Sequence, residues 1–218
     1  MKGKTIAVGI LACTLALGFS LASYAGEPSP IQLPKPQMEG GKPLMQALKD
    51  RMSTRTFSAE KLSSQTLSNL LWAAFGVNRP DSGRRTAPSA KNWQEIDVYV
   101  AMPEGLYLYD AKGNLLVPIS GKDLRALTGA QAYVKDAALN LVYVADFSKV
   151  DQAGSLDKEF ISAADAGFIS ENVYLFCASE GLGTVVRAMI DRDALGKEMK
   201  LRPDQKIMFA QSVGYPAK

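Results

Sequence analysis

The sequence predicts an α+β layered fold, and three observations carry that prediction. Helical and alternating apolar patterns are intermixed along the chain without a regular strand–helix–strand alternation, which disfavours a doubly wound parallel sheet. No G-x-G-x-x-G motif follows a strand-like segment, so the usual dinucleotide signature of such a sheet is missing. The 218 residues are 47% hydrophobic and 22% charged, enough for one domain with a real core.

Residues 1–25 stand apart from the fold. Lys2 and Lys4 precede an uncharged apolar run from Ile6 to Leu21, and Ser23-Tyr24-Ala25 offers small residues at the −3 and −1 positions of a cleavage site before Gly26. This is the pattern of a cleaved signal peptide and predicts export, to a bacterial periplasm. An uncleaved anchor is the competing reading, but the run is slightly short of the roughly 20 residues of a stable span. The residues before Cys13 suit a lipoprotein poorly, and without a twin arginine the chain would cross unfolded and meet any cofactor afterwards.

Residues 26–42 read as an extended Pro/Gly-rich arm, with Pro28, Pro30, Pro34, Pro36 and Gly40-Gly41. The domain proper is expected over residues 43–218. Pro43 suits the first turn of a helix through about Met52, with Leu44, Leu48 and Met52 at four-residue spacing. A second helix from about Ser63 to Ala74 has Leu67, Leu70, Leu71 and Ala74 as its buried stripe and Gly76 as its stop. Residues 77–92 read as a loop because Asn78, Pro80, Asp81, Ser82, Gly83 and Pro88 crowd together.

Ile96, Val98, Val100 and Met102 alternate as one face of a strand, and Leu106–Tyr109 with Leu115–Ile119 form a hairpin through residues 110–114. A short helix near Lys122–Leu127 and a buried strand near Leu139–Ala145 follow. The longest helix, about Asp157–Glu180, has Phe160, Ala164, Phe168, Leu175 and Phe176 among its apolar positions, and Gly181 closes it. Strands near Thr184–Met189 and Lys206–Val213 complete the pattern, with Asp191 and Asp193 starting a helix near Ala194.

The chain contains no histidine, which excludes Ser-His-Asp and Cys-His catalysis, imidazole acid–base chemistry and His-rich zinc sites. Cys177 would be the one cysteine left after export and sits in an apolar stretch, as a buried structural thiol does. The net charge of +3 is small and the basic residues are scattered, so no nucleic-acid partner is expected. An enzyme with this inventory relies on a cofactor for its chemistry.

Two segments suit a ligand. In Arg51-Met52-Ser53-Thr54-Arg55 an extended backbone sends Arg51, Ser53 and Arg55 to one side. Two guanidinium forks and a hydroxyl match a phosphomonoester, although a solvated basic turn has the same composition. The loop from Arg84 to Gln94 combines small residues with the amides of Asn92 and Gln94, which can pair with the edge of a heteroaromatic ring. Trp93 in that loop reads equally as a core anchor. Gly181-Leu182-Gly183-Thr184 reads locally as a glycine C-cap. No acidic pair stands out as catalytic.

The order of these pieces adds what none of them supplies alone. Leu33-Pro34-Lys35-Pro36, Arg51-x-Ser53-x-Arg55-x-Phe57, Leu70–Gly76, Arg85–Ala90, Gly105–Asp110, Gly181–Thr184 and Val213–Pro216 follow one another. In this order and spacing the sequence resembles the nitroreductase superfamily, in particular short flavoproteins related to the SagB-type dehydrogenases, over the whole mature chain. The resemblance implies a central, mostly antiparallel sheet flanked by helices, and a homodimer with FMN shared at its interface.

By the same resemblance, Arg51, Ser53 and Arg55 hold the phosphate and reach the pyrimidine edge. Pro88, Ser89, Ala90 and Asn92 flank the ring and ribityl chain. The turn at Gly183 leads to Arg187 and Ala188, whose backbone approaches flavin N5. Ala188-Met189 departs from the glutamate–glycine pair of many relatives, and Lys218 is the one basic residue after the last strand. The implied reaction moves two electrons from NAD(P)H or another donor, through flavin N5, to a small acceptor such as a quinone or nitroaromatic. No catalytic side chain is implied. Dehydrogenation of a peptide or small molecule in the SagB manner, or flavin binding without catalysis, are the alternatives. Outside the cytoplasmic nicotinamide pool, a partner protein or membrane quinol is an expected donor.

Overall fold

The computed structural model describes residues 29–150 and 157–217; the expected signal peptide and Lys218 lie outside them. A seven-stranded sheet, every neighbouring pair antiparallel, forms the centre. In chain order its strands are β1 (Ile31–Gln32), β4 (Ile96–Met102), β5 (Gly105–Asp110), β6 (Leu115–Ser120), β7 (Leu139–Asp146), β8 (Gly183–Arg187) and β9 (Gln205–Gly214). They are arranged β1-β6-β5-β4-β7-β9-β8. Strands β2 (Val77–Arg79) and β3 (Arg84–Arg85) make a separate small hairpin. The helices are α1 (Leu44–Asp50), α2 (Ser64–Phe75), α3 (Lys158–Glu180) and α4 (Arg192–Glu198).

Both faces of the sheet are covered, which explains why β7 is buried at every residue. Ile96, Val98 and Val100 join Leu139, Leu141 and Tyr143 beneath Leu70, Leu71, Ile169 and Val173 of α2 and α3. The alternate residues Tyr99, Ala101, Val142 and Val144 pack with Leu195 and Met199 at α4 on the other face. The alternation read from β4 is therefore correct, and its second face is buried too. The predicted hairpin also forms, with Tyr109 opposite Leu116 and Asp110 opposite Leu115. Ser63 caps α2 by accepting the Thr66 N–H, and Gly181 closes α3 with a left-handed φ of 72°.

Several expectations need correction. The arm over residues 29–42 is extended, but it is stitched down: Ile31–Gln32 pairs with the edge of β6, Ser68 Oγ donates to Pro34 O at 2.5 Å, and Asn69 Oδ1 accepts the Gln37 N–H at 2.9 Å. The stretch read as one loop contains the β2–β3 hairpin, because Arg79 can bond the Arg85 carbonyl across it at 2.9 Å. The helix near Lys122–Leu127 is a single 3₁₀ turn at Arg125–Thr128. Strand β8 stops at Arg187, two residues early.

The apolar stripe of α1 and the Phe160, Ala164 and Phe168 positions of α3 point away from the core, whereas Phe176 packs against it. Helix α1 ends at Asp50, and its buried residue is Ala47, while Leu44, Leu48 and Met52 are exposed, Leu44 by 62%. On α3, Phe160 is 73% exposed and Phe168 also faces out; the core face is Ala166, Ile169, Val173 and Cys177. Periodicity identified apolar positions on each helix, but this chain's own core covers none of those on α1 and only the C-terminal Phe176 on α3.

Candidate functional site

The segment after α1 is shaped by the free edge of β8. Arg51 caps α1, its N–H bonding Ala47 O, and the chain then runs extended. Thr54 N–H donates to Thr184 O at 2.9 Å, which lays the segment against β8. A Cβ on Gly183 would meet Thr54 Cγ2 at 2.7 Å, so this approach requires glycine. The Gly181-Leu182-Gly183 turn is thus more than a helix cap: its second glycine makes room for residues 51–55.

Tyr174 of α3 organises the side chains there. Its Oη accepts the Val186 N–H at 3.0 Å and shares a hydrogen bond of 2.9 Å with Ser53 Oγ. The Arg51 guanidinium lies 5.3 Å from the centre of the Tyr174 ring, a cation–π distance. Arg51 and Ser53 therefore converge on one tyrosine, as the two-residue spacing predicted, and Arg55 is exposed. Sequence reasoning missed Tyr174, which it read as part of an apolar stretch. The available signal was a tyrosine on a buried helix face, whose hydroxyl must find a partner.

The second predicted segment is bound differently. Lys91, Asn92 and Gln94 all have left-handed backbones, with φ of 49°, 58° and 50°, which is costly for non-glycine residues. Side chains hold this geometry. Ser89 Oγ accepts the Gln94 N–H at 3.0 Å, Asp165 Oδ2 on α3 accepts the Ala90 N–H at 2.9 Å, and Arg85 Nε donates to Gln94 Oε1 at 2.8 Å. The amide nitrogen of Gln94 donates to Asn92 Oδ1 and Gly83 O, both at 3.1 Å. The Gln94 amide is thus used inside the loop at both its oxygen and its nitrogen, which corrects the expectation that it is offered to a ring, whereas Asn92 is exposed and gives the loop only its Oδ1. Trp93 is buried, as an anchor is, and Pro88 is exposed.

The two segments do not meet within one chain. Asp165 and Tyr174 are nine positions apart on α3, which at about 100° per residue is half a turn. Between the two flanks runs the exposed strip of Phe160, Ala164, Gly167, Phe168 and Glu171.

Beyond β8, Ala188 and Met189 are exposed. A shallow cavity of about 490 Å³ opens here, lined by Gly167, Tyr174, Val186, Arg187, Ala188 and Phe209, a size suited to a cofactor. The Arg187 side chain is only 7% exposed and bonds Ser212 Oγ at 2.8 Å, Asn140 Oδ1 at 2.8 Å and Thr128 Oγ1 at 2.6 Å. These partners are neutral, and Nε has none among the described residues. Burial lowers the guanidinium pKa to about 10, so the group stays cationic at neutral pH. Arg187 can offer a ligand its backbone and its charge, while its Nη1 and Nη2 groups bond the sheet and Thr128. Asp191 accepts the Ala194 N–H at 3.0 Å and caps α4, as expected.

An antiparallel α+β sheet flanked by helices, with an arginine–serine turn along its edge strand, defines a nitroreductase-like architecture. The Nitroreductase family model matches residues 48–215, and the chain belongs to the nitroreductase family, which makes it an oxidoreductase. It is 30% identical over 180 residues to a protein of Methanocaldococcus jannaschii named as a nitroreductase, covering 77% of this chain and 88% of the relative. A crystal structure from Ralstonia eutropha, also named as a nitroreductase, shares 44% identity with a TM-score of 0.84 over 88% of this chain and 91% of its own. An FMN-dependent nitroreductase of Clostridium difficile shares the fold at 20% identity and a TM-score of 0.56, over 80% and 88% of the two chains.

Proposed function

We propose that the protein is an exported, homodimeric FMN oxidoreductase that passes two electrons from a reduced donor to a small acceptor such as a quinone or nitroaromatic. The observation that carries this reading is the convergence of Arg51 and Ser53 on Tyr174 beside β8. It sets a guanidinium and a hydroxyl for a phosphate at the rim of the cavity that Val186 and Ala188 line. FMN is named in one structural neighbour, and the residues here suit it. Arg51, Ser53 and Arg55 would take the phosphate, and the Arg187–Ala188 backbone would meet the ring edge. When bound, the flavin supplies hydride chemistry at N5 that the histidine-free side chains lack. The buried Arg187 cation favours negative charge nearby and so favours a reduced, anionic ring.

The homodimer rests on the exposed strip. Leu44, Met45, Leu48 and Met52 at α1 join Phe160 and Phe168 of α3 as large apolar side chains in water, and a second copy would cover them. Because the 88–92 loop and the Tyr174 flank lie on either side of that strip, a two-fold axis through it would bring the loop of one copy toward the phosphate end of the other. Pro88, Ser89, Ala90 and Asn92 then act across the interface. Export rests on the residue pattern of positions 1–25. It favours a membrane quinol or partner protein over NAD(P)H as the physiological donor.

The test is to purify the chain from Gly26 onward, measure its mass in solution and its flavin content, and add NADH, NADPH or a reduced quinone anaerobically. A colourless protein that cannot be reconstituted with FMN would sink this reading. Replacing Arg51 and Arg55 together with Ala should weaken FMN binding by about 100-fold, the loss of two charge-assisted contacts, with thermal stability nearly unchanged. FMN retained at full affinity would mean that the phosphate lies elsewhere.

A further inference from the structure

Two carboxyl groups meet out of water behind the 88–94 loop. Glu95, the residue before β4, is fully buried, and Asp165 on α3 is 4% exposed. They lie against each other. Among the described residues neither Glu95 oxygen has a hydrogen bond of ordinary geometry; the buried Ser162 hydroxyl and the Glu95 backbone N–H lie near enough to favour its charged form, but burial outweighs them. Asp165 Oδ2 already accepts the Ala90 N–H.

Among the described residues, no basic group of the surrounding elements is directed at the pair. Arg85 bonds Gln94 and stacks on Phe75, and Lys91 lies over the Trp93 ring. From the strands, Lys149 is paired with Asp97 and Arg202 with Asp146; Lys158 of α3 lies over Phe147. Two carboxylates cannot face each other in such a place while both are ionised. A single proton resolves the contact, because it turns one acceptor into a donor.

We propose that Glu95 is held as the neutral acid, donating its O–H to the Asp165 carboxylate, and that this shared-proton pair is the positioning device of the 88–94 loop. Asp165 then accepts two hydrogen bonds, one from Glu95 and one from Ala90. The second of these holds a loop whose backbone is left-handed at three non-glycine residues. Glu95 acts through Asp165 and touches no ligand. The clasp itself is independent of any cofactor; its consequence for flavin binding rests on the reading above.

Burial raises the proton affinity of both carboxyls, and the sign of the pH dependence follows. Stability from such a group is complete below the ordinary carboxyl range, about pH 4, and is lost as pH rises through the raised folded value. Raising the pH should therefore loosen the loop and destabilise the fold. Glu95→Gln supplies a permanent donor to Asp165 and should remove that dependence.

The experiment compares wild type and Glu95→Gln, both from Gly26 onward, by thermal melting and by the exchange protection of the Ala90 amide between about pH 5 and about pH 9. The wild-type melting temperature and Ala90 protection should fall across this range, protection by about tenfold or more, while both stay flat in Glu95→Gln. Identical profiles in the two proteins overturn the proposal. Infrared spectroscopy of the wild type needs no variant: a buried carboxylic-acid carbonyl band should be present at about pH 6, and its absence overturns the proposal as well. If FMN binds, its affinity should weaken with rising pH in the wild type alone. A protein that holds no flavin at all defeats the FMN reading, while the amide and infrared measurements still decide the clasp.

Discussion

The turn at residues 51–55 and the loop at residues 88–94 both lean on α3, yet they are built on different physics. The first is an ordinary extended segment bonded to the edge of β8 and gathered by the Tyr174 hydroxyl. The second has an unfavourable backbone that is stable only while side chains grip it, above all Asp165. The comparison teaches that a site can draw rigidity from a sheet edge at one end and from a titratable clasp at the other. Changes at the first end should act through packing, whereas changes at the second should act through backbone strain and protonation.

The largest expected effect is at the tyrosine. Tyr174→Ala empties a buried aromatic position and leaves Val186 N–H without its acceptor, and should cost roughly 3–5 kcal/mol in denaturant unfolding. A loss below about 1 kcal/mol would show that Tyr174 is not what gathers the turn. Next is the close approach at β8. Gly183→Ala drives a methyl group into Thr54 and should cost about 1–3 kcal/mol, with Thr54→Gly in the same chain restoring part of the loss. Simple addition of the two penalties would break the claimed contact.

The smallest effect sharpens the loop side of the comparison. Asn92 has φ of 58°, where asparagine is tolerated and a β-branched residue is not. Asn92→Val should therefore destabilise by about 1–2 kcal/mol and Asn92→Gly by less than about 0.5 kcal/mol. Equal penalties for the two would mean that lost contacts, not backbone strain, set the stability of the loop.

Much of the fold was legible because its signals are local. The alternation of Ile96, Val98 and Val100, the hairpin around Asn114, the Ser63 and Asp191 caps and the Gly181 stop all depend on residues within a few positions of one another. Arg51 and Ser53 were legible for the same reason, since two-residue spacing in extended chain aligns side chains. That Leu44, Leu48, Phe160 and Phe168 are exposed was not legible, because periodicity reports an apolar face without reporting what covers it. The Gln94 amide was misassigned because its partners, Arg85 and Gly83, depend on a hairpin hidden in a run of turn-forming residues. Glu95 and Asp165 were invisible as a pair because 70 residues separate them in the chain.

By itself the sequence determined the α+β class, the order of its elements, the dependence on a cofactor in a chain without histidine, and the arginine–serine turn suited to phosphate. Only the tertiary structure decided that this turn is gathered by Tyr174, that Arg187 is buried with its side chain against the sheet, and that residues 51–55 and 88–94 lie on opposite flanks of α3. The physical reason is range. Backbone preference and side-chain periodicity act over one or two turns of chain, while the meeting of Ser53 with Tyr174, or of Ala90 with Asp165, exists only once the sheet and α3 have packed.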